Sequence, residues 1–191
     1  MTEKEYLAAV CSFVAFGPVR VKLLLSYFET AKRIWKSDIK ELLQLGLGEK
    51  RTKRFIGHRD TFDASDYFNK LKEHSIGYVT ILEKEYPENL ANIDDAPIVL
   101  YHKGKLDRSY LNAVAIVGSR KMTAYGAEVT TKIAEELAAF DIVIVSGLAR
   151  GVDTAAHKAA LSALGKTIAV LGCGLDSIYP PENYRLAAEI T

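Results

Sequence analysis

Residues Ala113 to Gly147 read AVAIVGSRKMTAYGAEVTTKIAEELAAFDIVIVSG. Two apolar β-branched runs, AVAIVG and DIVIVSG, flank a segment, TAYGAEVTTKIAEELAAF, with helical spacing. Apolar runs without polar alternation are strands buried on both faces, and strands alternating with helices make a parallel sheet. The plan continues downstream. DTAAHKAALSALG reads as a helix with Gly165 at its C′ end, and TIAVLGCG as a third strand. PENYRLAAEI starts a third helix with Pro181 near its first turn. Right-handed crossovers then give a Rossmann-like α/β sheet.

Upstream the pattern changes. Residues 3–60 read as short helices: Leu7, Val10 and Val14 share a face, Gly17-Pro18 breaks the run, and Val21, Leu24, Leu25 and Phe28 resume it. Ser37 or Asp38 is placed to cap a helix carrying Leu42, Leu43 and Leu45. LLQLGLGEKRTKRFI then reads as a helix end, a Gly-x-Gly turn at Gly46 and Gly48, and a basic helix. Ala64 to Glu73 is helical, and GYVTIL (77–82) and PIVLYHKG (97–104) are strands, with a loop between Pro87 and Pro97. The expected division is a helical domain over residues 1–62 and an α/β domain over residues 63–191.

The 191 residues carry a net charge of +1, which argues against a uniformly basic nucleic-acid coat. The charge is local instead. Residues 50–59 hold Lys50, Arg51, Lys53, Arg54 and Arg59 with no acid among them. From residue 113 onward 7 basic residues meet 8 acidic ones, so any polyanion site there rests on a few placed groups and backbone N–H. No apolar run approaches the ~20 residues of a membrane span, and the first residues lack a signal-peptide plan. Cys11 and Cys173 form no CxxC pair, which suggests neither a disulfide framework nor a zinc site and fits a reducing cytoplasm.

In an open α/β sheet ligands bind beyond the carboxyl ends of the strands. All three ends here are small: Gly118-Ser119-Arg120, Ser146-Gly147 and Gly172-Cys173-Gly174. Together they predict an anion site, with Arg120 as phosphate clamp. The plain alternative for Arg120 is a surface residue paired with an acid. A dinucleotide is not expected, because GxGxxG is absent and Val145-Ser146-Gly147 stands where the ribose-binding acid belongs. The Walker lysine is absent too, so NTP hydrolysis lacks support. Asp153, His157 and Ser146 suggest a triad, but no G-x-S-x-G elbow surrounds the serine. The expectation is that Asp153 or Thr154 caps the helix and His157 packs beside it. Asp176 has no carboxylate partner, Tyr179 and Pro180 shape a turn, and Cys173 reads as a small apolar filler. The Gly46-x-Gly48 hairpin fits two readings equally: a DNA-phosphate cradle assisted by Lys50, Arg51, Lys53 and Arg54, or an ordinary helix end followed by a solvated basic helix.

VAIVGSR…YG, IVSGLARGVDTAAHKAAL and GKTIAVLGCGLDSIYPPEN together resemble the DNA-processing protein A (DprA, or Smf) family. EYPENLANIDDAPIVLYHKG resembles its YP..L..I.D.P..LY.KG segment, and the helical N-terminus is similar in kind to its SAM-like or helix-hairpin-helix domain. The resemblance implies an extended Rossmann domain that binds single-stranded DNA, protects incoming strands in natural transformation and helps load the recombinase RecA. It implies a homodimer formed through the Rossmann domain and no catalytic activity, in line with the absence of a cofactor fingerprint and of a metal site in the residues themselves. Carried over by position, Gly118, Ser119 and Arg120 become the phosphate-gripping motif, with Ser146, Gly147, Gly172 and Gly174 on the same face. The family's domain continues past its YPxxN helix, whereas this chain stops at Thr191. A fragment is therefore expected, with one side of the sheet uncovered and an edge open to association. The alternative is a nucleotide-binding or nucleotide-hydrolysing Rossmann protein of the same superfamily, although the PGGxGTxxE motif of its phosphoribohydrolases is absent from these residues.

Overall fold

The computed structural model describes residues 1–106 and 111–191. By packing, the chain forms two compact units, Met1–Tyr101 and His102–Thr191. This break lies elsewhere than the sequence-based boundary after Phe62.

The first unit is built on α1 (Glu3–Cys11), α2 (Pro18–Phe28), α3 (Ala31–Lys36), α4 (Ile39–Gln44), α5 (Glu49–Thr61) and α6 (Ala64–Glu73). Local signals set the ends. Thr2 and Glu5 form a capping box on α1, and Asp38 and Glu41 form another on α4. Pro18 sits in the first turn of α2, where its missing N–H costs nothing. Because α1 stops at Cys11, Val14 falls outside it and is 94% exposed, not on the apolar face expected for it. Phe55 of α5 is fully buried, with the Phe16 ring 4.8 Å and the Phe13 ring 5.5 Å away.

Strand β1 (Gly77–Thr80), helix α7 (Glu88–Ala91) and strand β2 (Val99–His102) follow. β1 pairs with β2, and both strands are shorter than the apolar runs that predict them. Ile98 and Val99 belong to the same core as Phe55, with Tyr78, Ile81 and Tyr101 packed against it. Hence residues 77–101 close over the helical core.

The second unit holds β3 (Ala113–Ala115), α8 (Ala124–Ala139), β4 (Val143–Ser146), α9 (Val152–Ser162), β5 (Thr167–Ala169) and α10 (Tyr184–Ile190). The sheet is parallel, ordered β3-β4-β5, with Val114 beside Ile144 and Ile144 beside Thr167. Those three residues therefore share a face. Ile144 lies in a buried cluster with Ala134 and Ala138 of α8 and Ala156, Ala159 and Ala160 of α9. Both crossover helices thus pack on the face that Ile144 presents. Val117 and Val170, at the ends of the runs, are 73% and 63% exposed, and β3 is an exposed edge.

The end of α9 departs from expectation. Leu164, not Gly165, takes the left-handed C′ position, with φ of 58°. Leu164 N–H donates to Leu161 O and Gly165 N–H to Ala160 O, both at 2.9 Å, which is a Schellman closure. Gly165 is needed one residue later for room: a Cβ there would lie 2.6 Å from that of Ala138.

Candidate functional site

The carboxyl ends of β3, β4 and β5 open onto a cleft of about 250 Å³. Arg120, Gly147, Arg150, Gly172, Cys173 and Tyr179 are among the residues that line it. Three predicted residues, Arg120, Gly147 and Gly172, thus meet in one place. Gly118, Ser119, Ser146 and Gly174 shape the loops around it without lining it.

Why the loops take this form follows from a few contacts. The 118–120 turn rests on the start of α9: Val152 N–H donates to Ser119 O at 3.2 Å. Gly118 lies so close to Val152 that a Cβ would come within 2.8 Å of its side chain. Ser119 Oγ accepts from Lys121 N–H at 3.1 Å, and Thr123 caps α8 by accepting from Gly126 N–H at 3.0 Å.

Asp153 does not cap α9. The N-cap is Gly151, and the Asp153 carboxylate instead accepts from Gly147 N–H at 3.2 Å and Ala149 N–H at 3.4 Å. It organises the β4–α9 loop from within, and it occupies an N–H that the sequence offered to a ligand. Thr154 Oγ1 donates to Ala149 O at 2.6 Å. Asn183 Nδ2 donates to Leu148 O and to Thr154 Oγ1, each at 2.8 Å. The YPPEN segment is thereby tied to the same loop, which brings Tyr179 and Glu182 beside Arg150. Tyr179–Pro180 is a cis peptide at the cleft wall.

The triad candidates are bonded elsewhere. Ser146 Oγ donates to Ile116 O at 2.6 Å. His157 is fully buried, with Nδ1 2.6 Å from Thr167 Oγ1, and that hydroxyl donates to Ile144 O at 2.7 Å. The Thr167 oxygen accordingly accepts from His157 Nδ1–H. Burial pushes the imidazole down to about 4, against a smaller upward pull from Asp153. Cys173 is exposed in the cleft rather than packed as filler.

The cleft is cationic. Among the described residues no carboxylate stands within 4.0 Å of Arg120, so the paired-surface reading finds no partner for it. Arg150, which sequence reasoning passed over, holds Glu182 with Nε 2.5 Å from Oε1 and Nη2 3.2 Å from Oε2. Its guanidinium carbon lies 6.0 Å from the Tyr179 ring centroid. Two guanidiniums and one aromatic face suit an oxyanion attached to a flat group. Among the described residues no group of three metal-ligating side chains gathers, and no helix is long and apolar enough to cross a membrane.

In the first unit, Gly46 and Gly48 both take positive φ, 73° and 76°, and form the turn between α4 and α5. Gly48 is the N-cap of α5, with no side-chain cap. Lys50 is exposed, while Lys53 pairs with Glu49 at 2.6 Å, Arg51 donates to Leu47 O at 2.8 Å and Arg54 lies over Phe13. Arg59 is structural: it donates to Trp35 O and Ser37 O.

The sequence model of the DNA recombination-mediator protein A family matches residues 77–191. The chain belongs to that family. Protein Smf of Synechocystis is 36% identical over 194 residues, covering 99% of this chain and 49% of the relative. DNA processing protein DprA of Streptococcus pneumoniae is 51% identical over 107 residues, which cover 56% of this chain and 38% of that protein. The chain thus spans about half the length, or less, of these relatives. The fold is similar to the X-ray structure of DprA from Streptococcus pneumoniae, with a TM-score of 0.81 and 34% identity over 100% of this chain and 65% of that one. It is also similar to DNA processing protein A from Helicobacter pylori, a structure concerned with that protein's unique single-stranded DNA binding mode. There the TM-score is 0.52 and the identity 36%, covering 61% of this chain and 53% of that one.

Proposed function

We propose that this chain binds single-stranded DNA through the strand-end cleft and acts as a recombination mediator without catalysis. The observation that carries the reading is that Arg120, unpaired with any described carboxylate, lines the cleft together with Gly147 and Gly172. A phosphodiester is an anion to be held, and the triad candidates around the cleft are engaged in structural bonds. In this proposal Gly118 and Ser119 set the turn that aims Arg120, while Ser146 and Gly174 fix the neighbouring loops. The Gly46–Gly48 hairpin, with Lys50, Arg51, Lys53 and Arg54, adds a second phosphate contact. The finer role is protection of incoming strands and loading of RecA during natural transformation, by a homodimer in the cytoplasm.

The test is fluorescence anisotropy with labelled single- and double-stranded oligonucleotides across salt concentrations. Single-strand preference is expected, with log affinity falling by roughly 0.7 per phosphate for each decade of salt. Arg120→Ala weakens binding if the cleft is the site. Loss only with changes at Lys50 and Arg54 would move the site to the hairpin, and no binding by wild type would sink the reading.

A further inference from the structure

We propose that Arg150 is a second phosphate-binding group and that Glu182 is its resident competitor, a carboxylate that occupies the guanidinium until a DNA phosphate displaces it. This rests on the DNA reading of the cleft. Three observations carry it. Arg150 lines the cleft together with Arg120. Its fork is engaged by Glu182 through two hydrogen bonds, the geometry a phosphate uses in the same place. The pair is half exposed, so it contributes little to stability and is open to exchange.

The pairing also has a reason to be where it is. Glu182 sits in the 3₁₀ turn Pro181–Asn183, and Asn183 pins that turn to Leu148 and Thr154. Glu182 is therefore a built neighbour of the cleft, held beside Arg150 by the tethered turn. Trading one bidentate oxyanion for another is nearly neutral in energy. A lone nucleotide gains little by opening the pair, but a strand already held at Arg120 presents its next phosphate at high local concentration. Glu182 thus sets a threshold that favours continuous strands over free nucleotides. Tyr179, beside the Arg150 guanidinium, offers a face on which a base can stack once the pair opens.

The experiment is a double-mutant cycle read by anisotropy with a fluorescein-labelled oligothymidylate, using wild type, Glu182→Gln, Arg150→Ala and the double variant. Circular dichroism melts check that all four fold. Glu182→Gln is expected to tighten binding at least threefold and Arg150→Ala to weaken it. In the Arg150→Ala background, Glu182→Gln should have at most a small effect. Equal tightening in both backgrounds would mean simple loss of a negative charge and would overturn the competitor role. Wild-type binding untouched by Arg150→Ala would overturn the phosphate role while leaving the DNA reading intact. Absence of wild-type binding would overturn both.

Discussion

Val152 holds Ser119. The first N–H of α9 donates to the Ser119 carbonyl at 3.2 Å, so the turn that presents Arg120 rests on the second crossover helix rather than on the helix that follows it in sequence. Gly151, immediately before, has φ of 78° and ψ of −126°. A Cβ there would strike the backbone of Ser119 and Arg120. Gly151→Ala is therefore expected to lower stability by about 2–3 kcal/mol and to cost most of the DNA affinity, since the turn must move. Chemical unfolding and anisotropy check both. Unchanged stability would show that the turn does not depend on this approach.

Leu164 predicts the opposite sign. Its side chain is 96% exposed and its backbone is left-handed, a conformation that penalises any side chain. Leu164→Gly loses no packing and relieves the penalty, so stability should rise by up to about 1 kcal/mol, read as a higher midpoint in urea. A lower midpoint would mean that the greater freedom of the unfolded glycine outweighs the relief.

The His157 ring gives a pH signature. Its folded value is held down near 4, below the ordinary 6.5. Above pH 6.5 both folded and unfolded states are neutral there, and nothing changes. As the pH falls from about 6.5 to 4, the unfolded chain takes up a proton that the folded chain refuses. Stability therefore declines across that window, by about 3 kcal/mol at full extent, and levels off below it. His157→Asn keeps a donor for Thr167 and removes the titration, so its stability should be flatter between pH 6.5 and 4. Identical slopes for the two proteins would refute the assignment.

The two thiols should separate cleanly. Burial pushes Cys11 up to about 12, whereas Cys173 is exposed in the cleft. A maleimide should label one site in the folded protein and the second only on unfolding. Bound oligonucleotide should slow labelling of Cys173, and labelling should in turn weaken DNA binding. Equal labelling rates with and without DNA would argue that the strand passes elsewhere.

Much of this architecture was legible in the sequence because Val and Ile runs and helical spacing are local signals. The same runs overstated the strands: Val117 and Val170 continue the apolar pattern past the ladder but stand in solvent. The three small strand ends marked the cleft. Its second arginine was hidden because Glu182 is 32 residues from Arg150 and reaches it only through the Asn183 tether. Asp153 was misplaced because a carboxylate near a helix start suits a cap and a loop brace equally, and only the positions of Gly147 and Ala149 decide between them. Gly165 reads in the sequence as the helix stop, whereas the deciding pressure on it is the proximity of Ala138.

The fully or nearly buried residues that α8 and α9 bring to their shared cluster are alanines, Ala134, Ala138, Ala156, Ala159 and Ala160, with Leu137 of α8 packed against them. Alanine has no side-chain torsion to freeze, so these contacts order at little side-chain entropic cost. The helices that carry the Arg120 turn and the Arg150 loop are thus spaced by a strut without moving parts. Whatever adjustment a bound strand demands must come from the long side chains at the rim, which makes the cleft a fixed frame with flexible fingers.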